Sequence, residues 1–211
     1  MIHGYKQINL QDILDNEFEE NKSGEEMAKE IISTFSCPQN ADIEDFLKNK
    51  AIEFSKQGLA KTHFVFASYK DKPVLVGYYT LVAHKNFVIS DKKLNSSFHR
   101  RFNKFGIYDK ELKQFSISAP LIAQLSKNFT NDYNTLIPGN DLLQMACNKI
   151  SIYQKEVGGK IMYLECEDIP ALIDFYTSNG FIEFGKRERE PNETNFIKSK
   201  CLIQFFKYRN G

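Results

Sequence analysis

The strongest constraint on the fold is a run of alternating elements over residues 116 to 184. Residues 116 to 126 read Ser-Ile-Ser-Ala-Pro-Leu-Ile-Ala-Gln-Leu-Ser, and after Pro120 they have the composition of a central strand. A polar loop over 128 to 138 follows. Apolar residues then recur at Leu142, Ala146, Ile150, Tyr153 and Val157, spaced four, four, three and four apart, and the pattern stops at Gly158-Gly159. This spacing predicts a core-facing helix over 141 to 157 with a glycine stop. Next come a short strand over 160 to 165, a helix over 169 to 178 ended by Asn179-Gly180, and a strand over 181 to 184. Elements in this order require a sheet with helices packed on it.

Upstream the pattern changes. Residues 2 to 10 read as a weak strand, and the acidic segment after them as a helical or mobile stretch up to about Phe35. Residues 42 to 57 carry Ile43, Phe46, Leu47, Ala51, Ile52 and Phe54 on one helical face, with Asn40 or Asp42 as cap. Residues 62 to 69 and 74 to 83 are rich in β-branched and aromatic side chains, and Lys70-Asp71-Lys72-Pro73 turns one into the other as a hairpin. Residues 84 to 113 show no clean period and read as a long excursion with some helix. A strand over 201 to 208 ends the chain after a charged loop. The class is α/β with an antiparallel first half, and 211 residues without an internal repeat or low-complexity linker fit one domain over 1–211.

Charge is balanced in total and unbalanced locally. Twenty-eight Lys and Arg face 27 Asp and Glu, which excludes a protein basic over its whole surface. Residues 11 to 30 nevertheless carry a net of −6, residues 84 to 113 a net of +5, and the tail from Lys186 a net of +4. Cys37, Cys147, Cys166 and Cys201 show no close pairing and no Cys/His metal spacing, so no metal site is expected and reduced thiols of a cytoplasmic protein are. Residues 1 to 10 lack a signal-peptide pattern, and the longest mostly apolar run, 74 to 83, falls far short of the roughly 20 residues of a membrane helix.

Chemistry concentrates in two stretches. The strand ending at Ser126, the loop containing Gly139 and the helix starting near Asp141 together present backbone N–H groups and a positive dipole end, which suits a pyrophosphate. An ordinary strand-to-helix turn has the same outline. The second stretch runs Met162-Tyr163-Leu164-Glu165-Cys166-Glu167-Asp168 and, after Ala171, into Phe175-Tyr176-Thr177-Ser178-Asn179-Gly180-Phe181. Here the sequence resembles the GCN5-related N-acetyltransferase (GNAT) superfamily, in which a strand ending in acids leads to a helix closing with Phe-Tyr-x-x-x-Gly-Phe. Phe35-Ser36-Cys37, the helix from Ile43 to Ala51, Gly58 to Val65, Val76-Gly77-Tyr78-Tyr79-Thr80-Leu81 and Pro120 to Asn128 extend the likeness toward the branch containing aminoacyl-tRNA-acetylating toxins. It covers about residues 35 to 83 and 116 to 184.

The resemblance implies a GNAT fold: a mixed central sheet of six to seven strands flanked by helices, with two central strands splayed apart. It implies acetyl transfer from acetyl-CoA, without a metal, to a primary amine by direct attack in a ternary complex. The pantetheine would lie against the backbone of Leu125, Ser126 and Lys127, and the pyrophosphate against Gly139, Asn140, Asp141 and Leu142. The family's phosphate loop, Gln/Arg-x-x-Gly-x-Gly/Ala, aligns with Asn134-Thr135-Leu136-Ile137-Pro138-Gly139, of which only the last glycine survives. Pro138 has no N–H to donate, Ile137 stands where glycine is usual, and Asp141 adds a negative charge.

Tyr176 matches the tyrosine that in many members protonates the departing thiolate, while Glu165 and Glu167, at the end of their strand, are candidates for the base that takes the amine proton, directly or through water. Several enzymes of this type use no dedicated base. Cys166 fits a small buried thiol better than an acetyl carrier. His63, His84 and His99 lack metal spacing. The excursion over 84 to 113, with Arg100, Arg101 and Lys104 among Phe98, Phe102 and Phe105, is either an RNA grip that contacts tRNA by phosphates and stacking or a solvated lid with its aromatics turned inward. Its length exceeds what the branch has, and the acceptor, a homodimer and an idle coenzyme-binding protein stay open at this point.

Overall fold

The structure, a computed structural model, describes residues 4–16, 22–189 and 201–209. The expected strand's first residues, Glu17, Glu19 and Glu20 of the acidic segment, and most of the charged loop before Cys201 lie outside the described residues. The elements run β1 (Tyr5–Asn9), α1 (Leu10–Leu14), α2 (Gly24–Ser33), α3 (Ala41–Asp45), a π-helical turn (Phe46–Lys50), α4 (Ala51–Lys56), β2 (Lys61–Tyr69) and β3 (Lys72–Ser90). Then follow α5 (Ser96–Phe102), β4 (Gly106–Asp109), β5 (Gln114–Lys127), a 3₁₀ segment (Thr130–Leu136), α6 (Gly139–Val157), β6 (Ile161–Glu167), α7 (Pro170–Ser178), β7 (Ile182–Glu188) and β8 (Cys201–Tyr208). The strands form an open eight-stranded mixed sheet in the order β1-β2-β3-β5-β6-β8-β7, with β4 hydrogen-bonded to β5 off that path.

Two compact units divide the chain, with boundaries inside β3, β5 and α6. The first comprises the described residues of Met1–Val82 with Ile122–Lys149. Its strands β1, β2 and β3 pair antiparallel, and Lys70 and Asp71, at φ 51° and 61°, make the hairpin turn in the left-handed conformation that matches strand twist. The helix expected over 42 to 57 is present as α3, the π turn and α4, capped by the Asn40 carboxamide, which accepts from the N–H groups of Asp42 and Ile43. Ser23 and Glu26 form a reciprocal capping box at α2. Leu10, Ala28, Phe35, Leu47, Phe64 and Tyr78 of these elements share one core cluster.

The second unit comprises the described residues of Ala83–Leu121, Ile150–Glu193 and Lys198–Gly211. Strand β8 pairs antiparallel with β6 on one side and β7 on the other, and β4 pairs antiparallel with the start of β5. Here the excursion departs from its sequence reading: β3 continues to Ser90, seven residues beyond the expected end at Ala83, and α5 and the short β4 follow. With β4 added, the sheet has eight strands among the described residues, where six to seven were expected. Its aromatics build a core. Phe87, Phe102 and Phe115 are buried with Tyr163, Phe184 and Phe206, and Phe98 and Phe105 pack against them. Arg101 lies over Phe98 and Tyr208, 5.3 and 4.6 Å from the ring centroids. As to the two readings of the excursion's aromatics, Phe102 is buried and Phe98 and Phe105 are partly buried against this core.

Candidate active site

In the first unit, the residues expected to hold the coenzyme come from the end of β5 and the start of α6. Gly77 on β3 brings them together. A Cβ there would stand 2.7 Å from the Ser126 carbonyl oxygen and 3.2 Å from Leu142 Cδ2, so only glycine lets the three segments approach. Ser126 is buried and its hydroxyl contacts the Cys37 sulfur at 3.4 Å, while Leu142 is fully buried. Gly139, Asn140 and Asp141 form the first turn of α6, whose donors lie where an anion is best stabilised. The Pro138 carbonyl accepts from the N–H groups of Asp141 at 3.1 Å and Leu142 at 3.3 Å, so those two donors already have a partner.

Asn128 fixes the end of β5, and nothing in the sequence pattern singled it out for that role. It is fully buried, its amide nitrogen donates to Thr34 and Leu75 carbonyls at 3.0 and 2.9 Å, and its amide oxygen accepts from the N–H groups of Ser36 and Thr130. Its own N–H reaches the Val76 carbonyl at 2.8 Å. One side chain thus ties β5 to β3 and to the connection between α2 and α3.

In the second unit, Tyr176 lies in the last turn of α7 with 9% exposure, its ring centroid 5.0 Å from Phe175, 5.8 Å from Phe205 and 6.0 Å from Phe181. The turn after it is closed by the N–H of Phe181 on the Tyr176 carbonyl at 3.1 Å, with Gly180 at φ 79°. Lys207 on β8 donates to the Asn179 carbonyl at 2.9 Å. The Phe-Tyr-x-x-x-Gly-Phe segment is therefore a helix end locked onto β8.

Glu165 has a different environment from that of a free base. Arg187 on β7 donates from Nε to Oε1 at 2.7 Å and from Nη2 to Oε2 at 2.5 Å. The Tyr163 hydroxyl donates to Oε1, and Gln204 Nε2 lies 2.7 Å from that hydroxyl and 3.3 Å from Oε1. Burial pushes the Glu165 carboxyl up, but Arg187, the Tyr163 hydroxyl and Gln204 outweigh it and hold it below the ordinary carboxylate range. A carboxylate held in this way is a weak proton acceptor at neutral pH. Arg187 and Gln204 belong to this cluster through β7 and β8 pairing, a long-range relation that sequence spacing does not reveal.

The remaining candidates have ordinary explanations. Burial, then Glu183, Asp168 and Glu167, push the Cys166 thiol up to about 12, so it stays protonated. His63 is buried and stacks on Tyr79 at 4.9 Å, and burial followed by Lys149 pushes its imidazole down to about 4. Among the described residues no three His, Cys, Asp or Glu gather as a metal site, and no helix is long and apolar enough to cross a membrane.

No protein-family model and no curated protein matches the chain. Solved structures do. AtaT complexed with acetyl-methionyl-tRNAfMet superposes with a TM-score of 0.58 at 16% identity, over 94% of this chain and 93% of that one. A tyrosine-to-phenylalanine mutant of KacT matches with a TM-score of 0.56 at 15% identity, over 96% and 95%. AtaTR bound with AcCoA matches with a TM-score of 0.52 at 16% identity, over 96% and 93%. The fold of this chain is similar to that of AtaT and KacT, in agreement with the GNAT fold that the sequence resemblance implies.

Proposed function

We propose that this chain is an acetyl-CoA-dependent N-acetyltransferase acting on a primary amine. The observation that carries the reading is the likeness over nearly the whole chain to proteins of which one was solved with AcCoA. Two local features support it: the close approach of Ser126 and Leu142 around Gly77, and the intact segment around Tyr176. The backbone of Leu125, Ser126 and Lys127 would take the pantetheine, and the first turn of α6, Gly139 to Leu142, the pyrophosphate, through its positive dipole end and the Gly139 and Asn140 N–H groups rather than those of Asp141 and Leu142, which the Pro138 carbonyl holds.

The amine lone pair attacks the thioester carbonyl carbon, a C–N bond forms, and the C–S bond breaks. Tyr176 gives its phenolic proton to the departing thiolate, and the proton shed by the amine goes to water. Glu165 serves as the partner of Arg187 rather than as the base. The test is CoA release, followed chromatographically against a panel of amines. Tyr176→Phe is expected to slow acceptor-dependent release about a hundredfold. An unchanged rate removes Tyr176 from the reaction.

A second reading makes the acceptor an aminoacyl-tRNA. It is supported by the surface of residues 84 to 113. Among the described residues, none of Lys85, Lys92, Lys93, Arg100, Arg101, Lys104, Lys110 and Lys113 forms an ion pair, whereas Lys22, Lys29, Lys48, Lys50, Lys56 and Lys186 all do. Two of the segment's three acids are engaged internally: Asp91 accepts from the Tyr108 hydroxyl at 2.7 Å, and Asp109 from the N–H groups of Glu111 and Leu112. Six of the eight, Lys92, Lys93, Arg100, Lys104, Lys110 and Lys113, are exposed, and exposed cations without an ion-pair partner among the described residues suit a polyanion. Acetylation of charged tRNA with free amino acids and lysine peptides as competitors distinguishes this acceptor from a small amine or a protein.

A further inference from the structure

Tyr5 has no role in the site as assigned so far. It stands on β1, and its hydroxyl donates to the carbonyl of Leu136 at 2.9 Å, joining residues 131 positions apart. Leu136 ends the 3₁₀ segment that leads into α6. Because the peptide between Leu136 and Ile137 is planar and trans, an oxygen fixed toward Tyr5 sends the Ile137 N–H the opposite way. Ile137 itself is extended, at φ −137° and ψ 126°, with its side chain 1% exposed. The Pro138 ring fixes the next φ.

Three independent constraints therefore hold this connection: a carbonyl pinned by a hydroxyl, a buried side chain and a proline. Residues 134 to 138 contain no glycine, so nothing in the connection before Gly139 offers the backbone added freedom. A carbonyl oxygen, with its partial negative charge, is also the backbone group that a phosphate must not meet, and donation from Tyr5 turns it aside and occupies one of its two lone pairs. Burial, then Asp141, push the Tyr5 phenol up, so it remains a donor at neutral pH.

We infer that Tyr5 is a positioning residue for the pyrophosphate of the coenzyme, acting through the Leu136 peptide to preorganise the entry to α6. The inference rests on the coenzyme reading above. It predicts a defect confined to the phosphate-bearing part of the ligand, which a general loss of stability does not produce.

The test is calorimetric titration of wild type and Tyr5→Phe with two probes, acetyl-CoA and S-acetylpantetheine, which lacks the pyrophosphate. The expected result is a dissociation constant for acetyl-CoA raised about fivefold by loss of one hydrogen bond, with S-acetylpantetheine binding unchanged. Equal affinities for acetyl-CoA in both proteins overturn the inference, and so does an equal loss for both probes, which indicates a merely structural role. Wild type that takes up neither probe brings down the coenzyme reading and this inference with it. Wild type that binds acetyl-CoA beside an unchanged variant removes the role of Tyr5 alone.

Discussion

At the scale of single residues, His63 gives the clearest dependence on pH. Its imidazole is pushed down to about 4 in the folded chain, against about 6.5 when unfolded. Between those values the unfolded chain binds the extra proton, so stability is complete above about pH 6.5 and falls as pH drops toward 4, by about 3 kcal/mol. Urea denaturation at pH 7 and pH 4.5 should show a smaller loss for His63→Phe than for wild type; equal losses would assign the acid sensitivity to other groups. Glu165 and Arg187 form a mostly buried pair, with side chains 12% and 22% exposed. Glu165→Gln removes the carboxylate charge from this pair and should lower stability by about 3 kcal/mol. If it abolishes acetyl transfer while the denaturation midpoint stays put, Glu165 is the base after all. Glu165 and Tyr176 were legible as candidates because they sit in a contiguous motif. Tyr5, Asn128 and Arg187 were not, because their partners are 131, up to 94 and 22 positions away and no local period records such pairs.

Among the elements, legibility followed periodicity. The apolar spacing over 141 to 157 predicted α6 to within two residues of its observed start at Gly139, and β8 was expected at its observed bounds, Cys201–Tyr208. The continuation of β3 escaped notice because only Phe87 and Ile89 of residues 84 to 90 are buried, among polar neighbours that look like a loop. Strand β4 has four residues, too few for an alternation to register. Both earn their structure from tertiary packing, in which Phe102 of α5 is fully buried, with ring centroids 5.1 Å from Phe206 and 6.1 Å from Phe115. Phe102→Ala should therefore destabilise the protein by about 3 to 5 kcal/mol, measurable as a lower denaturation midpoint. A change below 1 kcal/mol would mean that α5 is a loosely attached lid. At the end of α7, Gly180→Ala places a Cβ at φ 79° and should cost about 1 to 2 kcal/mol.

For the molecule as a whole, a net charge of +1 says little about partners, because the bases of residues 84 to 113 have no ion-pair partners among the described residues while other lysines do. Reversing Arg100, Lys104 and Lys113 to glutamate, with Arg101 spared for its contacts with Phe98 and Tyr208, should weaken tRNA binding at least tenfold and flatten its salt dependence. Unchanged binding would leave the acceptor a small amine or a protein. The overall fold was legible because Phe175 to Phe181 carry a family pattern that stretches between 35 and 83 and from Pro120 to Asn128 extend, whereas the turn at Gly139 keeps a single glycine of it; the acceptor was not, since folds do not fix substrates. The central claim is that acetyl-CoA is the donor. Calorimetric titration of the purified protein with acetyl-CoA tests it most directly: the account predicts saturable binding at one site per chain, and a titration with no saturable heat, together with no thermal stabilisation by the same ligand, would contradict it.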